Sequence, residues 1–194
     1  MHKKLALLAA LAVPSLALAN PYIIAGGGTV NADMTDLENN YAGAHTTNDN
    51  FGRALVGVGA DLSPNVGVEA VYLTEGQVSV QNSTNKDVLK NSGVQFALLG
   101  KAPLTPQLTV FGKISANYMD VTWDYTNVSG TTSNEDNKFQ LGYGIGLNYQ
   151  FTDAVAGRLQ VERIQMRDPV ADPLGGPSIN NDQDMASVAF MFSF

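Results

Sequence analysis

Apolar and polar residues alternate strictly along residues 138–151. One set of alternate positions is apolar or aromatic throughout: Phe139, Leu141, Tyr143, Ile145, Leu147, Tyr149 and Phe151. The other set is polar or glycine: Lys138, Gln140, Gly142, Gly144, Gly146, Asn148 and Gln150. Because successive side chains of a strand point to opposite faces, the pattern predicts a β-strand with one bulky apolar face and one small, polar face. Thr152-Asp153 predicts a turn, and residues 155–162 alternate in the same way, so the two segments form a predicted hairpin.

A strand of this kind is compatible with two environments. In a membrane barrel the bulky face meets lipid and the small polar face lines a narrow lumen. In a soluble antiparallel barrel the same bulky face points inward and forms the core. The hairpin alone leaves both alternatives open, and the rest of the chain has to distinguish them.

The same alternation recurs along the chain and predicts eight strands. They cover about residues 21–31, 52–62, 66–80, 92–104, 108–125, 138–151, 155–162 and 185–194. Short turns at 63–65, 105–107 and 152–153 alternate with polar loops predicted at 32–51, 81–91, 126–137 and 168–184. An even number of strands, short turns on one side and long loops on the other are typical of outer-membrane barrels. The sequence therefore predicts an all-β protein, an eight-stranded antiparallel up-and-down transmembrane β-barrel.

The first 19 residues have the pattern of a secretory signal peptide. Lys3 and Lys4 precede an apolar run, and Ala17-Leu18-Ala19 has the small residues of a cleavage site. We therefore expect a signal peptide at residues 1–19 and a barrel domain at residues 20–194. Two of the 11 basic residues lie in the signal, which leaves 9 against 18 acidic residues and a formal charge of about −9. This charge excludes a nucleic-acid partner, and the lack of cysteine excludes disulfides and thiolate metal sites.

The end of the chain carries the most specific motif. Phe190, Phe192 and Phe194 alternate back from the carboxyl terminus, which looks like the terminal signature of outer-membrane β-barrel proteins. Together with the segments LGYGIGLNYQFTDAVAGRLQVERI and LVGVGADLSPNVGVEAVYL, the chain resembles the OmpA-like transmembrane barrel family over about residues 22–194.

That resemblance carries several expectations about partners and location. It implies residence in the cell outer membrane, contact with outer-membrane lipid and lipopolysaccharide, and assembly by the barrel-assembly machinery, which would read the terminal phenylalanines. A monomer is expected. The sequence departs from full-length OmpA proteins because it ends with the barrel, so the peptidoglycan-binding domain of those proteins and its tethering role are not expected here.

Charged residues are predicted to line the lumen, and isolated charges in a narrow, poorly hydrated space are costly. We expect Glu69, Lys113, Arg158 and Glu162 to pair near the middle of the barrel. Further charges expected in the lumen are Arg53, Asp61, Glu75, Lys101 and Lys138. The network is either a static polar core or a gate whose pairs exchange to open an ion path. The glycines of residues 26–28 leave the facing of the first strand open.

Two aromatic girdles are expected at the ends of the apolar faces. Tyr149, Phe151, Phe194 and Tyr22 are predicted at the turn end, and Tyr72, Tyr118 and Phe139 at the loop end. The predicted loops are rich in acids but have no calcium-loop spacing, so no metal and no cofactor is expected.

Three functions fit this architecture. The first is a structural and surface-interaction protein with at most a narrow, gated solute path through a polar lumen. The second is a small outer-membrane channel for ions or small solutes. The third, a lipid-modifying enzyme, would need His45, but that histidine has no serine and acid partner in a recognisable pattern, so no catalytic residue is predicted.

Overall fold

The computed structural model describes residues 20–33, 35–39, 45–165 and 182–194. The predicted signal peptide and most of the predicted loop at 168–184 lie outside these residues. The elements in chain order are β1 (Asn20–Ala32), α1 (Thr35–Glu38), β2 (Thr46–Asn48), β3 (Asn50–Ser63), β4 (Val66–Gln81), β5 (Lys86–Pro103), β6 (Leu108–Asn127), β7 (Gly130–Thr152), β8 (Val155–Gln165) and β9 (Gln183–Ser193). In the part of the chain described, no helix is long and apolar enough to cross a bilayer.

Eight of the strands form one closed antiparallel barrel. Strands β3 to β9 pair with their neighbours in sequence, and β1 pairs with both β3 and β9, which closes the ring. The seam is continuous, with Ile23 opposite Phe192 and Val30 opposite Met185. The short strand β2 adds three residue pairs to β4, at residues 79–81, beyond the part of β4 that pairs with β3. The predicted eight-stranded up-and-down barrel is thus confirmed.

Bulky apolar side chains cover the outside of the barrel, as the alternation predicted. The outward set of β7, from Phe139 to Phe151, is 41–67% exposed. Phe190 and Phe192 on β9 also face outward, and the terminal Phe194 is exposed. Tyr72 and Tyr118 lie outward towards the loop end, and Tyr149 and Phe151 lie outward at the turn end. The assignment of Tyr22 to a girdle is wrong, because its side chain is 3% exposed and points into the lumen.

Two hairpins are much longer than the sequence predicted. Residues 81–91 and 126–137 were expected to be loops, but they are mostly strand. The β4–β5 hairpin turns within Asn82–Asn85, where the Asn82 amide donates to the Asn85 carbonyl, 2.9 Å. The β6–β7 hairpin pairs as far as Asn127 and Gly130, and Gly130 has a φ of +141°, which glycine adopts without strain. The polar composition predicted loops because neither face of these segments is apolar.

The interior is layered along the barrel axis. A polar layer near the middle carries buried Glu69, Lys113, Arg158 and Glu162. The inner faces nearer the loop end are apolar and buried, with Leu73, Val78, Val80, Leu89, Met119, Val121 and Trp123 at 0–5% exposure. The expectation of a polar lumen therefore holds for the middle only. It is wrong for the outer part, where the inward positions of β4, β5 and β6 are apolar. On β4, a register shift between Leu73 and Gly76 precedes the buried Val78 and Val80.

Candidate functional site in the lumen

The first of two buried ion pairs crosses the lumen from β8 to β4. Arg158 Nη1 lies 2.6 Å from Glu69 Oε1, and each side chain is 1% exposed. The Tyr22 hydroxyl donates to the same Glu69 oxygen, 2.7 Å, and Arg158 Nε donates to Asn148 Oδ1, 2.9 Å. The guanidinium also lies over the Phe111 ring, 4.5 Å from its centroid. These contacts replace the water that both charges lose on burial.

The second pair joins β6 to β8 and is embedded in amide and hydroxyl groups. Lys113 Nζ lies 2.7 Å from Glu162 Oε2, with side-chain exposures of 2% and 0%. Lys113 also donates to Gln95 Oε1, 2.9 Å, and Gln95 Nε2 donates to Glu162 Oε1 and to Asn117 Oδ1, both at 2.7 Å. Ser115 Oγ donates to Glu162 Oε1, 3.1 Å. Glu162 therefore accepts from three different side chains.

Glycines on β7 make room for these side chains. A Cβ at Gly146 would lie 2.5 Å from the Phe111 ring and 2.4 Å from the Leu159 carbonyl oxygen. The small inner face of β7, which the alternation predicted, thus lets Phe111 lie beneath the Arg158 guanidinium.

The two ion pairs close the lumen. They border one cavity, which has about 210 Å³ of space not filled by atoms but no room for a water-sized sphere. Its lining combines polar and apolar side chains: Ile24, Leu55, Glu69, Val71, Leu73, Gln95, Lys113, Arg158, Gln160 and Met185. A solute cannot pass this level without movement of the paired side chains.

The structure brings together the four residues that the sequence placed in a lumen network, Glu69, Lys113, Arg158 and Glu162, as two neutral pairs. Of the other charges expected in the lumen, Lys101 and Asp61 form an ion pair of 2.6 Å at the turn end. Lys138 Nζ lies 3.0 Å from Asp136, with a half-exposed side chain. Arg53 is buried, and the side chain of Glu75 lies outside the described part of the structure.

The sequence analysis missed several neutral partners of the ion pairs. Gln95, Ser115 and Asn117 alternate with outward apolar residues, so their facing was predictable, although their contacts with Glu162 were not. Tyr22 was missed because the adjacent glycines hid the inward facing of β1. The partners of each charge depend on the stagger of strands around the ring, which alternation along one strand does not contain.

His45, the residue on which an enzyme would depend, lies exposed immediately before β2. Within residues 20–33, 35–39, 45–165 and 182–194, no group of three acidic or histidine side chains is arranged to hold a metal ion.

A closed eight-stranded ring, a belt of outward apolar side chains and a charged, tightly filled interior together define a small membrane β-barrel. The chain belongs to the outer membrane protein β-barrel domain family, whose model matches residues 4–194. It is accordingly an outer-membrane β-barrel protein. No curated protein sequence is significantly similar to it.

Solved structures of small outer-membrane barrels have the same fold. Neisserial surface protein A has a TM-score of 0.61 at 11% identity, with 90% of this chain and 97% of that chain covered. Ail, the attachment invasion locus protein of Yersinia pestis, has a TM-score of 0.59 at 11% identity, with coverages of 91% and 99%. OprG from Pseudomonas aeruginosa has a TM-score of 0.50 at 14% identity, with coverages of 91% and 96%. At these identities the likeness concerns the fold alone.

Proposed function

We propose that this protein acts at the bacterial surface through its two long hairpins, while its lumen is closed at rest. The observation that carries the proposal is the contrast between a lumen filled by neutral ion pairs and strands that continue well past the ring. Among the described residues, the β7–β8 pairing reaches Leu141 opposite Gln165, and β6 and β7 pair further, from Asn117 opposite Gln140 to Asn127 opposite Gly130. These 11 further residue pairs extend for about 35 Å along the strands.

The resemblance in fold to Ail, whose name refers to attachment and invasion, supports a surface role in general terms. Ail has also been solved with a heparin analogue, sucrose octasulfate. We do not extend that ligand class to this protein, because its chain is acidic and its β6–β7 hairpin carries Asp120, Asp124, Glu135 and Asp136. A surface of this charge repels sulfated polysaccharides. The proposed partner is a neutral or basic surface.

Attachment assays on bacteria that produce the protein would test the surface role. We expect replacement of residues 80–87 and 121–136 by two-residue turns to leave the barrel folded, because the ring strands below keep their pairing. Adhesion to host-cell and matrix-coated surfaces should fall several-fold relative to the unshortened protein. The heat-modifiable mobility of the barrel on gels would serve as the folding control. Equal adhesion by bacteria producing the shortened protein and by bacteria producing the unshortened protein would refute the proposal.

An ion pair on the β4–β5–β6–β7 extension links the two hairpins. Lys90 Nζ on β5 lies 2.6 Å from Asp124 on β6, and Ser133 on β7 donates to the same carboxylate. The hydrogen bonds from Lys90 and then from Ser133 lower the pKa of the Asp124 carboxyl from its ordinary value. A lowered pKa in the folded state means that the contact stabilises the hairpins above the ordinary aspartate pKa, and this contribution is lost as pH falls through the lowered value.

We expect an NMR titration of the Asp124 carboxyl carbon to have its midpoint below about 3.9, the ordinary aspartate value. Lys90→Gln should raise that midpoint, because it removes the first and largest of the stabilising contacts. Lys86→Gln, which removes an exposed cation from the same strand, is the matched control and should leave the midpoint nearly unchanged. Equal midpoints in all three proteins would show that the pair does not form.

A narrow, gated path is the second candidate function, and the arrangement of the two ion pairs favours it. Both pairs border the same cavity, and Arg158 Nη2 has no hydrogen-bond partner among the described residues. Arg158 could therefore turn from Glu69 to Glu162 while Lys113 turns the other way. Such an exchange would keep every charge paired and would move the bulk that closes the lumen.

Single-channel recording of the refolded barrel in a planar bilayer separates the two functions. A purely surface-acting protein should give no conductance steps. A gated path should give small discrete steps whose frequency rises in Glu69→Ala and Arg158→Ala. Arg163→Ala, at an exposed arginine on the outside of β8, is the control that should change nothing. A large steady conductance of the unmodified barrel would contradict both versions of the closed lumen.

Export through a signal cleaved after Ala19 and assembly through the terminal phenylalanines belong to the same proposal. An enzymatic role does not, because the proposed surface function needs no chemistry from the exposed His45.

A further inference from the structure

Arg53 on β3 is a third buried cation of the lumen, and it lies on the loop side of the two ion pairs. Its residue is 4% exposed, close to the values for Lys113 and Arg158. Those two cations each have a carboxylate within 2.7 Å. Among the side chains that the structure describes, no carboxylate lies within 4.0 Å of the Arg53 guanidinium.

The contacts of Arg53 are to neutral groups. Its Nη1 donates to Gln183 Oε1, 3.0 Å, and its Nη2 makes a long contact of 3.5 Å with the Asn91 carbonyl oxygen. The guanidinium lies 5.0 Å from the centroid of the Phe51 ring. Among the described residues, its Nε has no hydrogen-bond partner. A guanidinium held in this way keeps its full positive charge in a place that water does not reach freely.

Other buried polar atoms of the same part of the lumen also lack partners in the described structure. They are the side-chain nitrogen and oxygen of Asn91, Gln183 Nε2, Ser187 Oγ and Gln160 Oε1. Gln183 and Asn91 are the residues that Arg53 contacts. Ser187 belongs to the same row of the barrel wall, because Gly28 pairs with Arg53 on one side and Ser187 on the other. Gln160 pairs with Ser187 in turn.

Hydrogen-bond donors dominate this set. Arg53 Nε, the amide nitrogens of Asn91 and Gln183 and the Ser187 hydroxyl can each donate, and all four residues are at most 5% exposed. Buried polar groups are nearly always satisfied in folded proteins, by protein groups, water or a ligand. Several donors around one positive charge select a negatively charged acceptor.

We propose that Arg53, Asn91 and Gln183 form a binding site for a small monovalent anion, chloride being the abundant example in solution. The anion supplies the negatively charged partner that Arg53 lacks among the described side chains, where Lys113 and Arg158 each have a carboxylate. Ser187 contributes a further donor from β9. The site goes beyond the proposed surface function, because anion binding requires neither conduction nor the hairpins.

Bromide is the probe that tests the site directly, since its anomalous scattering distinguishes it from water. In crystals of the refolded barrel grown with sodium bromide, we expect an anomalous peak within hydrogen-bonding distance of the Arg53 guanidinium. The peak should be lost in Arg53→Met. It should persist in Arg163→Met, which removes an exposed arginine that is paired with Asp184 on the outside of the barrel.

Solution stability provides the second readout. Replacing gluconate by bromide at constant ionic strength should raise the unfolding midpoint of the wild-type barrel and of Arg163→Met, because a ligand that binds the folded state stabilises it. Arg53→Met should not respond. If Arg53→Met fails to fold, the bromide peak and the bromide response of the wild-type protein still decide the matter. Absence of either one, including a peak without a stability response, would overturn the proposal.

Glu75 on β4, the strand beside β3, supplies the sharpest control. If a bromide peak appeared only in Glu75→Gln and not in the wild-type protein, Glu75 would be the native partner of Arg53 and the anion site would be refuted. Equal bromide peaks in the two proteins would support the site as proposed.

Discussion

Replacing Glu162 by alanine should lower the free energy of unfolding by about 3–5 kcal/mol, the range measured when one member of a buried ion pair is removed. The substitution leaves the Lys113 ammonium, 2% exposed, without a counter-charge. It also removes one of the two acceptors of the Gln95 amide and the acceptor of the Ser115 hydroxyl. Equilibrium unfolding of the barrel in lipid vesicles by urea, followed by tryptophan fluorescence, measures this change.

A double substitution separates the charge effect from the loss of packing. Lys113→Met with Glu162→Leu replaces the whole pair by apolar groups of similar size, which is often neutral or stabilising for buried pairs. We expect the double variant to be about 3–5 kcal/mol more stable than the single variant Glu162→Leu, which has the same side chain at residue 162 and leaves Lys113 without a counter-charge. Gln95 and Ser115 still lose an acceptor in both, so the difference reports the stranded lysine.

The exposed pair of Arg163 and Asp184 is the matched control. Its side chains are 44% and 53% exposed, and exposed pairs contribute about 0–1 kcal/mol. Asp184→Ala should therefore be close to wild type in stability. Similar losses for Glu162→Ala and Asp184→Ala would mean that the lumen is hydrated enough to screen Lys113, and the closed-lumen proposal would fail with it.

Much of the ring was predictable because its outward and inward residues differ sharply. In β7 every outward residue from Phe139 to Phe151 is large and apolar, so a period of two fixed both the strand and its facing. The hairpin extensions lack this contrast. Residues 131–137 of β7 are polar on both faces, since they stand above the apolar belt, and composition alone predicted a loop there.

The sequence predicted which charged residues form the candidate site, but it did not predict which of them pair with each other. The alternation placed Glu69, Lys113, Arg158 and Glu162 on inward faces. The choice of Glu69 for Arg158 and of Glu162 for Lys113 depends on which strands face each other across the lumen and at what height. Arg53 shows the same limit of sequence-based prediction. Its inward facing was predicted, but its neutral neighbours Asn91 and Gln183 lie on strands far from it in sequence and could not be predicted.

The glycines of β1 hid its facing from the sequence, but the structure shows how much space a side chain would have at each of them. Gly28 faces the lumen at the seam with β9, where a Cβ would lie 2.0 Å from the Ala186 carbonyl oxygen and 2.7 Å from the Ser187 Cα. Both are backbone atoms, which cannot move without opening the β1–β9 ladder. Gly27 has the opposite facing, and its nearest neighbour would be the Arg53 carbonyl oxygen at 3.3 Å.

Gly28→Ala should therefore destabilise the barrel by about 3 kcal/mol or more, at the upper end of the usual cost of overpacking. Gly27→Ala is the control one residue away, and we expect a change in unfolding free energy within about 1 kcal/mol. The new Cβ would be close to one carbonyl oxygen only, and the lower chain entropy of unfolded alanine offsets the cost of that contact. Folding yield by heat-modifiable gel mobility and the urea midpoint in vesicles measure both. The comparison tests the seam itself, because equal behaviour of the two variants would require a β1–β9 register in which residue 28 no longer faces the lumen.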